Sequence, residues 1–326
     1  MVTATSADGL RWQLVSPDEL VIREKLEVSA LYKFGGVYYA AGQQVPPFAW
    51  LPDGRPCGRV MVAYQSYDFA RWSSGKSLAF VRPNYVSAPS TQGEEVHLAA
   101  GIWNRGNVLV GLYGMMHGAP GATVWPPASE NLRRVSMDLG LVVSNDGLHF
   151  REPVPNFAIV PRGTELEWDG YCLTQGHAFV NINKRTHIWY SQWADCTVYG
   201  YHMGVGLGTL RQDGFGYLSR RYPVEGHFVT CPLQVDGSAK VYVNAEGLSA
   251  AGHLRVELLD AQSRPLAGYS GEACVPVVES GTRQLVRWRD RQAIDGLAGQ
   301  VFKVQVTLAE GGEEEQQVYA LYVTQA

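Results

Sequence analysis

A seven-residue pattern, Ser-x-Asp-Gly-x-x-aromatic, recurs along this chain and constrains its fold more than any other feature. It reads SADGLRW at 6–12, SYDFARW at 66–72, SNDGLHF at 144–150 and, more loosely, TLRQDGF at 209–215. The aspartates Asp8, Asp68, Asp146 and Asp213 are 60, 78 and 67 residues apart. In such a turn the aspartate bonds backbone amides, the glycine takes a positive φ, and the aromatic fills space between adjacent sheets. A unit repeated at this period marks a modular architecture, and this turn at this spacing points to β-propeller blades.

The segments between the turns follow one plan. Glu27 leads into VSALYKF, GGVYYAAG and GRVMVAYQS; Glu95 into VHLAAGIW, VLVGLYG and MDLGLVVS; Asp169 into GHAFVNIN, THIWYSQW and HMGVGLGTL. Apolar runs broken by Gly and Asn turns are what four-stranded blades require, and no stretch carries a helical period. The expected propeller domain, 1–223, comprises an end-of-blade remnant at 1–22 and blades at about 23–90, 91–163 and 164–223. Three blades and a remnant do not close a ring. The pattern therefore implies an extension before Met1 or an element that caps the opening.

After Tyr222 the pattern changes. Short strands near 228–233, 240–244, 254–259, 282–289, 301–308 and 318–323, separated by Gly, Pro and Ser turns, predict a β-sandwich over 224–326. The apolar VYALYV is expected to be its central strand. The acidic run 313–315, which follows Gly311 and Gly312, is expected to form a hairpin tip.

Composition narrows the function classes. Charged residues are only 18% of the chain, aromatics reach 11%, and the formal net charge is −4 with no basic patch, so a nucleic-acid partner is not expected. No apolar run is long enough to span a membrane, and the N-terminus of the chain as given has no signal-peptide pattern. Five scattered cysteines (Cys57, Cys172, Cys196, Cys231 and Cys274) form neither a disulfide framework nor a zinc site, and read mostly as buried thiols. Motifs for serine hydrolases, zinc proteases, phosphate loops and dinucleotides are missing, and no metal or other cofactor is expected.

The stretches GVGLGTLRQDGFGYL, HLRVELLDAQSRPLAGYS, LVRWRDRQAIDGLAGQVFKVQVTL and VYALYV resemble a bacterial family of glycoside-hydrolase-like proteins. In that family a five-bladed propeller, similar to those of family 32, 43 and 130 glycosidases and phosphorylases, precedes a β-sandwich. TELEWDGY resembles the family's Trp-Asp blade opening, whereas Leu26-Glu27-Val28 departs from its Asp-rich opening. The resemblance implies an all-β fold, an incomplete five-bladed propeller followed by a sandwich, acting on an oligosaccharide or other glycan.

In a propeller the first strand of each blade lines the tunnel, so acidic residues that open successive blades converge on one rim. Glu27, Glu95 and Asp169, spaced 68 and 74 residues apart, are the catalytic candidates. Glycoside cleavage needs one protonated carboxyl and one carboxylate, and a third can raise the acid's pKa. Glu94, Asp138 and Asp195 are reserves. Trp103, Trp168 and Trp193 are candidate sugar platforms, with His97, Gln175, His177 and His202 as polar partners. Each also has a purely structural reading, in inter-blade packing for the tryptophans and in loop-amide bonding for the carboxylates. Non-catalytic glycan binding is an alternative function. Phosphorolysis is another, with Arg105, His177 and Lys184 as candidate phosphate-site charges.

Overall fold

The computed structural model describes residues 1–15, 20–44, 59–82, 96–117, 136–164, 167–193 and 204–326, without the side chains of 98–100, 177 and 193. Among them the chain is all-β, with a single 3-10 turn at Gly271–Ala273. It divides into two compact units, Met1–Val180 with His187–Gly208, and Asn181–Thr186 with Thr209–Ala326.

The strands of the blades follow the expected order. A hairpin of β1 (Ala4–Thr5) and β2 (Gln13–Leu14) brackets the first turn. Next comes a four-stranded antiparallel sheet of β3 (Glu27–Phe34), β4 (Val37–Gln44), β5 (Val60–Ser66) and β6 (Ser77–Phe80). The second blade comprises β7 (Val96–Asn104), β8 (Leu109–His117), β9 (Ser136–Ser144) and β10 (Ala158–Val160). The third has β11 (Cys172–Ile182), β12 (Arg185–Trp193) and β13 (Val205–Arg211), and one parallel bridge, Cys172 to Met137, joins it to β9.

Three of the repeated turns are the same at the level of atoms. Asp8 Oδ1 accepts the amides of Leu10 and Arg11, each at 2.8 Å; Asp68 Oδ1 accepts Ala70 and Arg71 at 3.0 and 2.8 Å; Asp146 Oδ1 accepts Leu148 and His149, each at 2.8 Å. The serine hydroxyl of each turn accepts the amide three residues on. That amide belongs to Gly9, Phe69 or Gly147, and all three residues have positive φ.

The fourth turn is built differently. Asp213 itself takes φ 53°, and its carboxylate accepts bonds from Asn181 Nδ2 (3.0 Å) and Tyr322 OH (2.6 Å). Thr186 Oγ1 accepts the Asp213 amide and donates to Asn181 Oδ1, each at 2.7 Å. With a Gln at 212 and no serine ahead of the aspartate, the local hydrogen-bond set is lost. The turn instead bonds the tip of the β11–β12 hairpin and Tyr322, all within the second unit.

One core spans the first two blades. Tyr32, Ala41, Met61 and Ala63 of the first pack with Val96, Tyr113, Met115 and Phe150 of the second. Tyr32 and Tyr39 stack at 5.1 Å and clamp the third repeated turn. Tyr32 OH donates to the Gly147 carbonyl (2.9 Å) and Tyr39 OH to the Asp146 carbonyl (3.3 Å). Burial, then the neighbouring Tyr39 and Asp146 charges, raises the Tyr32 hydroxyl pKa, so the group stays a donor. Phe150 meets Tyr32 edge to face, and its amide bonds the Ala79 carbonyl, as expected for an inter-sheet plug. Trp12, by contrast, is exposed.

The second unit has two antiparallel sheets that share one core. One holds β14 (Gly226–Val229), β15 (Leu233–Gln234), β17 (Leu254–Asp260) and β21 (Val301–Leu308); the other holds β16 (Ala239–Glu246), β19 (Gly281–Leu285) and β22 (Gln317–Gln325). β18 (Cys274–Val275) pairs with β20 (Arg287–Trp288). Alternate residues Val241, Val243 and Ala245 of β16 face Leu254, Val256 and Leu258 of β17 and Val304 and Val306 of β21. Trp288 closes this core with Nε1 donating to the Val256 carbonyl (3.0 Å).

Three details correct the sequence reading. VYALYV lies in β22, which among the described strands pairs with β16 and bridges Leu218 only at Val318, so β16 is the middle strand of the sheet. The acidic run 313–315 connects strands of different sheets and is not a hairpin tip. Among the described cysteines Cys172 is buried, but Cys231 is exposed and Cys274 only partly covered.

Candidate functional site

The strand register brings several candidate residues to one rim of the blades. Val96 pairs with Met115 and Met115 with Asp138, so these three stand in one row across β7, β8 and β9. His117 ends β8, Cys172 opens β11 beside Met137, and Glu27 opens β3 opposite Gln43. The Val96 amide donates to the Arg59 carbonyl (3.1 Å), tying the second blade to the strand ends of the first. A bulge follows the rim in both inner strands, between Val28 and Ala30 and between His97 and Gly101. Such bulges re-aim the residues beside them. Gly42 and Gly114 allow the close approach: a Cβ there would meet the Glu27 carbonyl oxygen at 2.2 Å or that of His97 at 2.9 Å.

Asp138 is a carboxylate of the rim held by three hydrogen bonds. It is 9% exposed; Oδ2 accepts His117 Nε2 and Arg162 Nη1, and Oδ1 accepts the Arg162 amide, all at 2.8 Å. Burial works against ionisation here, but the bonds from His117 and Arg162 and the arginine's charge outweigh it and hold the pKa below the usual range. The group is a fixed anion at neutral pH.

Asp169 lies next to this cluster through the following residue, Gly163. A Cβ on Gly163 would stand 2.5 Å from Asp169 Oδ1 and 2.6 Å from Glu167 Oε2, so a larger residue there would have to displace both carboxylates. Asp169 Oδ2 accepts Tyr190 OH at 2.9 Å. Burial and then the Asp169 bond push the Tyr190 pKa up to about 12, which keeps it protonated as the donor. Trp168 stacks on Tyr190 at 5.9 Å and 14° and remains 45% exposed, a sugar-sized aromatic face beside the carboxylates. Gly204 and Gly206 form the shelf under these rings, since a Cβ there would meet Trp168 at 2.7 Å or Tyr190 at 2.2 Å.

The other candidates separate. Glu27 is exposed at the head of β3 and accepts a bond from Gln43 Nε2. His97 is buried; desolvation, with the nearby Arg59 charge, pushes its pKa down to about 3, so it is neutral at neutral pH. Gln175 is buried on β11. Trp103 is seven residues beyond Val96 on β7, about 23 Å along the strand. It stacks on Phe179 at 5.5 Å, and the Arg105 guanidinium lies over its ring at 4.1 Å. This is inter-blade packing, away from the rim. Arg105 follows β7 and Lys184 sits in the β11–β12 turn at φ 61°, so both proposed phosphate-site charges lie at the end of their strands opposite the rim. Glu94, Glu95, Asp195 and His202, and the side chains of His177 and Trp193, lie outside the described residues.

Sequence reasoning passed over His117, Arg162 and Tyr190 and held Asp138 only in reserve. The alternating glycines of GVGLG were the available signal, because glycines on one face of a strand mark a large group lying flat against it. Among the described residues no cluster of three or more His, Cys, Asp or Glu side chains could hold a metal ion.

No family model and no curated protein matches this chain. Solved structures with a similar fold are glycoside hydrolases. One is a family 43 arabinoxylan arabinofuranohydrolase from Bacillus subtilis, in complex with cellotetraose (14% identity, TM-score 0.26), where the match covers 97% of this chain and 56% of that one. Another is the Bombyx mori family 32 β-fructofuranosidase BmSUC1 (12% identity, TM-score 0.35; 99% and 72%). A third is the family 43 protein BlXynB from Bacillus licheniformis (9% identity, TM-score 0.23; 100% and 93%). The chain thus spans little more than half of the arabinofuranohydrolase. At these values the likeness concerns the general fold alone.

Proposed function

We propose that this protein binds a glycan at the blade rim and hydrolyses a glycosidic bond there. The observation that carries the proposal is the pairing of a half-exposed aromatic face, Trp168 on Tyr190, with the adjacent carboxylates Asp169 and Asp138. A pyranose offers apolar C–H faces to stack and hydroxyls to accept or donate hydrogen bonds, which suits that pairing. Hydrolysis needs an anion to activate water or stabilise positive charge at the anomeric carbon, and an acid to protonate the leaving oxygen. Asp138, held ionised by Arg162 and His117, suits the anionic role. Asp169, Glu27 and Glu95 are the proposed partners, one of them carrying the proton. Glu95 precedes Val96 directly in sequence.

The test is turnover of a panel of chromogenic glycosides and natural oligosaccharides by the chain and by Asp169→Asn. The expected result is release of sugar by the native protein and a loss of about 10³-fold in kcat/KM in the variant. Unchanged turnover in Asp169→Asn overturns the assignment.

A second reading, glycan binding without cleavage, is favoured by the three hydrogen bonds that already occupy Asp138. It predicts sugar binding that Trp168→Ala abolishes, with no turnover of any substrate in the panel.

A further inference from the structure

The second unit holds a cavity of about 280 Å³ that takes no part in the rim site. Phe228 and Leu308 form part of its apolar lining, and residues 218–222 and 224–227 supply the rest of its wall. A second concavity, of about 310 Å³, shares Leu218 and Phe228 with it and is lined by Tyr217 and Tyr319, which meet edge to face at 5.4 Å. Together they form a groove with an apolar base and tyrosine rings along it.

The charges on this wall are unequal. Glu225 is paired with Arg255 at 3.0 Å, so its carboxylate is already compensated. Arg220 donates to the Gly311 carbonyl, a neutral acceptor, at 3.3 Å. The Arg221 guanidinium lies 5.4 Å over the ring of Tyr222, itself 62% exposed. Among the described residues neither Arg220 nor Arg221 has a carboxylate within ion-pair distance. Ser219, between the two concavities, is engaged by Glu315, and His227 adds a further nitrogen donor or acceptor to the wall. Two uncompensated guanidiniums on a concave wall are unusual in a chain of net charge −4. Guanidinium binds planar carboxylates through paired N–H donors, and an exposed tyrosine face beside it accepts the C–H face of a sugar ring.

We infer that this groove is a second carbohydrate site, selective for a sugar that carries a carboxylate, with Arg220 and Arg221 taking the acid group and Tyr222 the ring. The site belongs to the second unit and does not depend on turnover at the rim.

The test is calorimetric titration of the full chain with digalacturonate and, as controls, galactobiose and acetate. Digalacturonate is expected to bind at least tenfold more tightly than either control. Arg221→Gln and Tyr222→Ala, both exposed positions, are each expected to weaken it by about tenfold, while Asp169→Asn leaves it unchanged. Equal binding of galactobiose overturns the acid selectivity, equal binding of acetate overturns the stacking role, and no binding of digalacturonate overturns the site. A loss of binding in Asp169→Asn with none in Arg221→Gln assigns the sugar to the rim and overturns it as well. Failure of the rim variant to lose hydrolysis, by contrast, leaves this site standing.

Discussion

The repeated turns and the rim of the blades are organised in opposite ways. In three of the turns the hydrogen bonds that shape the loop itself are local: Ser144, Asp146 and the amides of 147–149 span six residues. At the rim nothing is local. Asp138, His117 and Tyr190 come from three strands and Arg162 and Asp169 from the segment between β10 and β11, and they meet only through register and close backbone approach. The motif that announces itself in sequence is therefore scaffolding, and the residues proposed for chemistry announce themselves only once the sheets are assembled.

The largest effect expected from breaking this contrast is at the rim. Asp138→Ala leaves the half-buried His117 and Arg162 without their anion, so it is expected to abolish turnover and to destabilise the first unit by about 3 kcal/mol, read by urea denaturation. Arg162→Lys keeps the charge and the backbone-amide bond to Asp138 Oδ1 but loses the Nη1 bond to Oδ2, and is expected to retain folding with a reduced kcat. At the turns, Gly147→Ala should cost about 3 kcal/mol: φ is 85°, and the new Cβ would meet the Tyr39 ring at 2.9 Å. The same change at Gly9, at φ 74° in open space, should cost only about 1 kcal/mol. Equal costs would show that the tyrosine clamp does not discriminate between the turns.

Smaller effects sharpen the comparison. Tyr32→Phe removes the donor to the Gly147 carbonyl and should cost about 1–2 kcal/mol, with turnover unchanged. For Asp146, burial opposes ionisation, but the His149 amide and ring, the Leu148 amide and Ser144 outweigh it and depress the folded-state pKa. A depressed carboxylate stabilises the fold above its unfolded value of about 4, and that stability is lost as pH falls through the lower folded value. Thermal melts between pH 5 and 2 should therefore show a steeper acid loss in the native chain than in Asp146→Asn.

Much of the fold was legible because its determinants are short-range. The turns at 6–12, 66–72 and 144–150 carry their own hydrogen-bond code, and the strands between them alternate or run apolar as blades require. The fourth turn was misread because its consensus had lost the serine, and Asp213 answers to Asn181 and Tyr322, 32 and 109 residues away. VYALYV looked central because it is apolar throughout, but pairing order depends on partners that hydropathy does not name. Of the site, Asp169 and Trp168 were singled out from the Trp-Asp opening. Arg162 and His117 were not, since they lie 24 and 21 residues from Asp138 in sequence and meet it only in the assembled sheet. Trp103 shows the converse: a tryptophan at a promising position whose ring is taken up by Phe179 and Arg105.

The division of labour between rim and turn can be measured in one paired experiment, kcat/KM and thermal midpoint on Asp169→Asn and Asp146→Asn. The rim variant should lose about 10³-fold in kcat/KM at a nearly native midpoint, and the turn variant should melt earlier while keeping turnover within a few-fold. If Asp169→Asn keeps native turnover, or if activity and stability fall together in both variants, the rim is not the seat of chemistry.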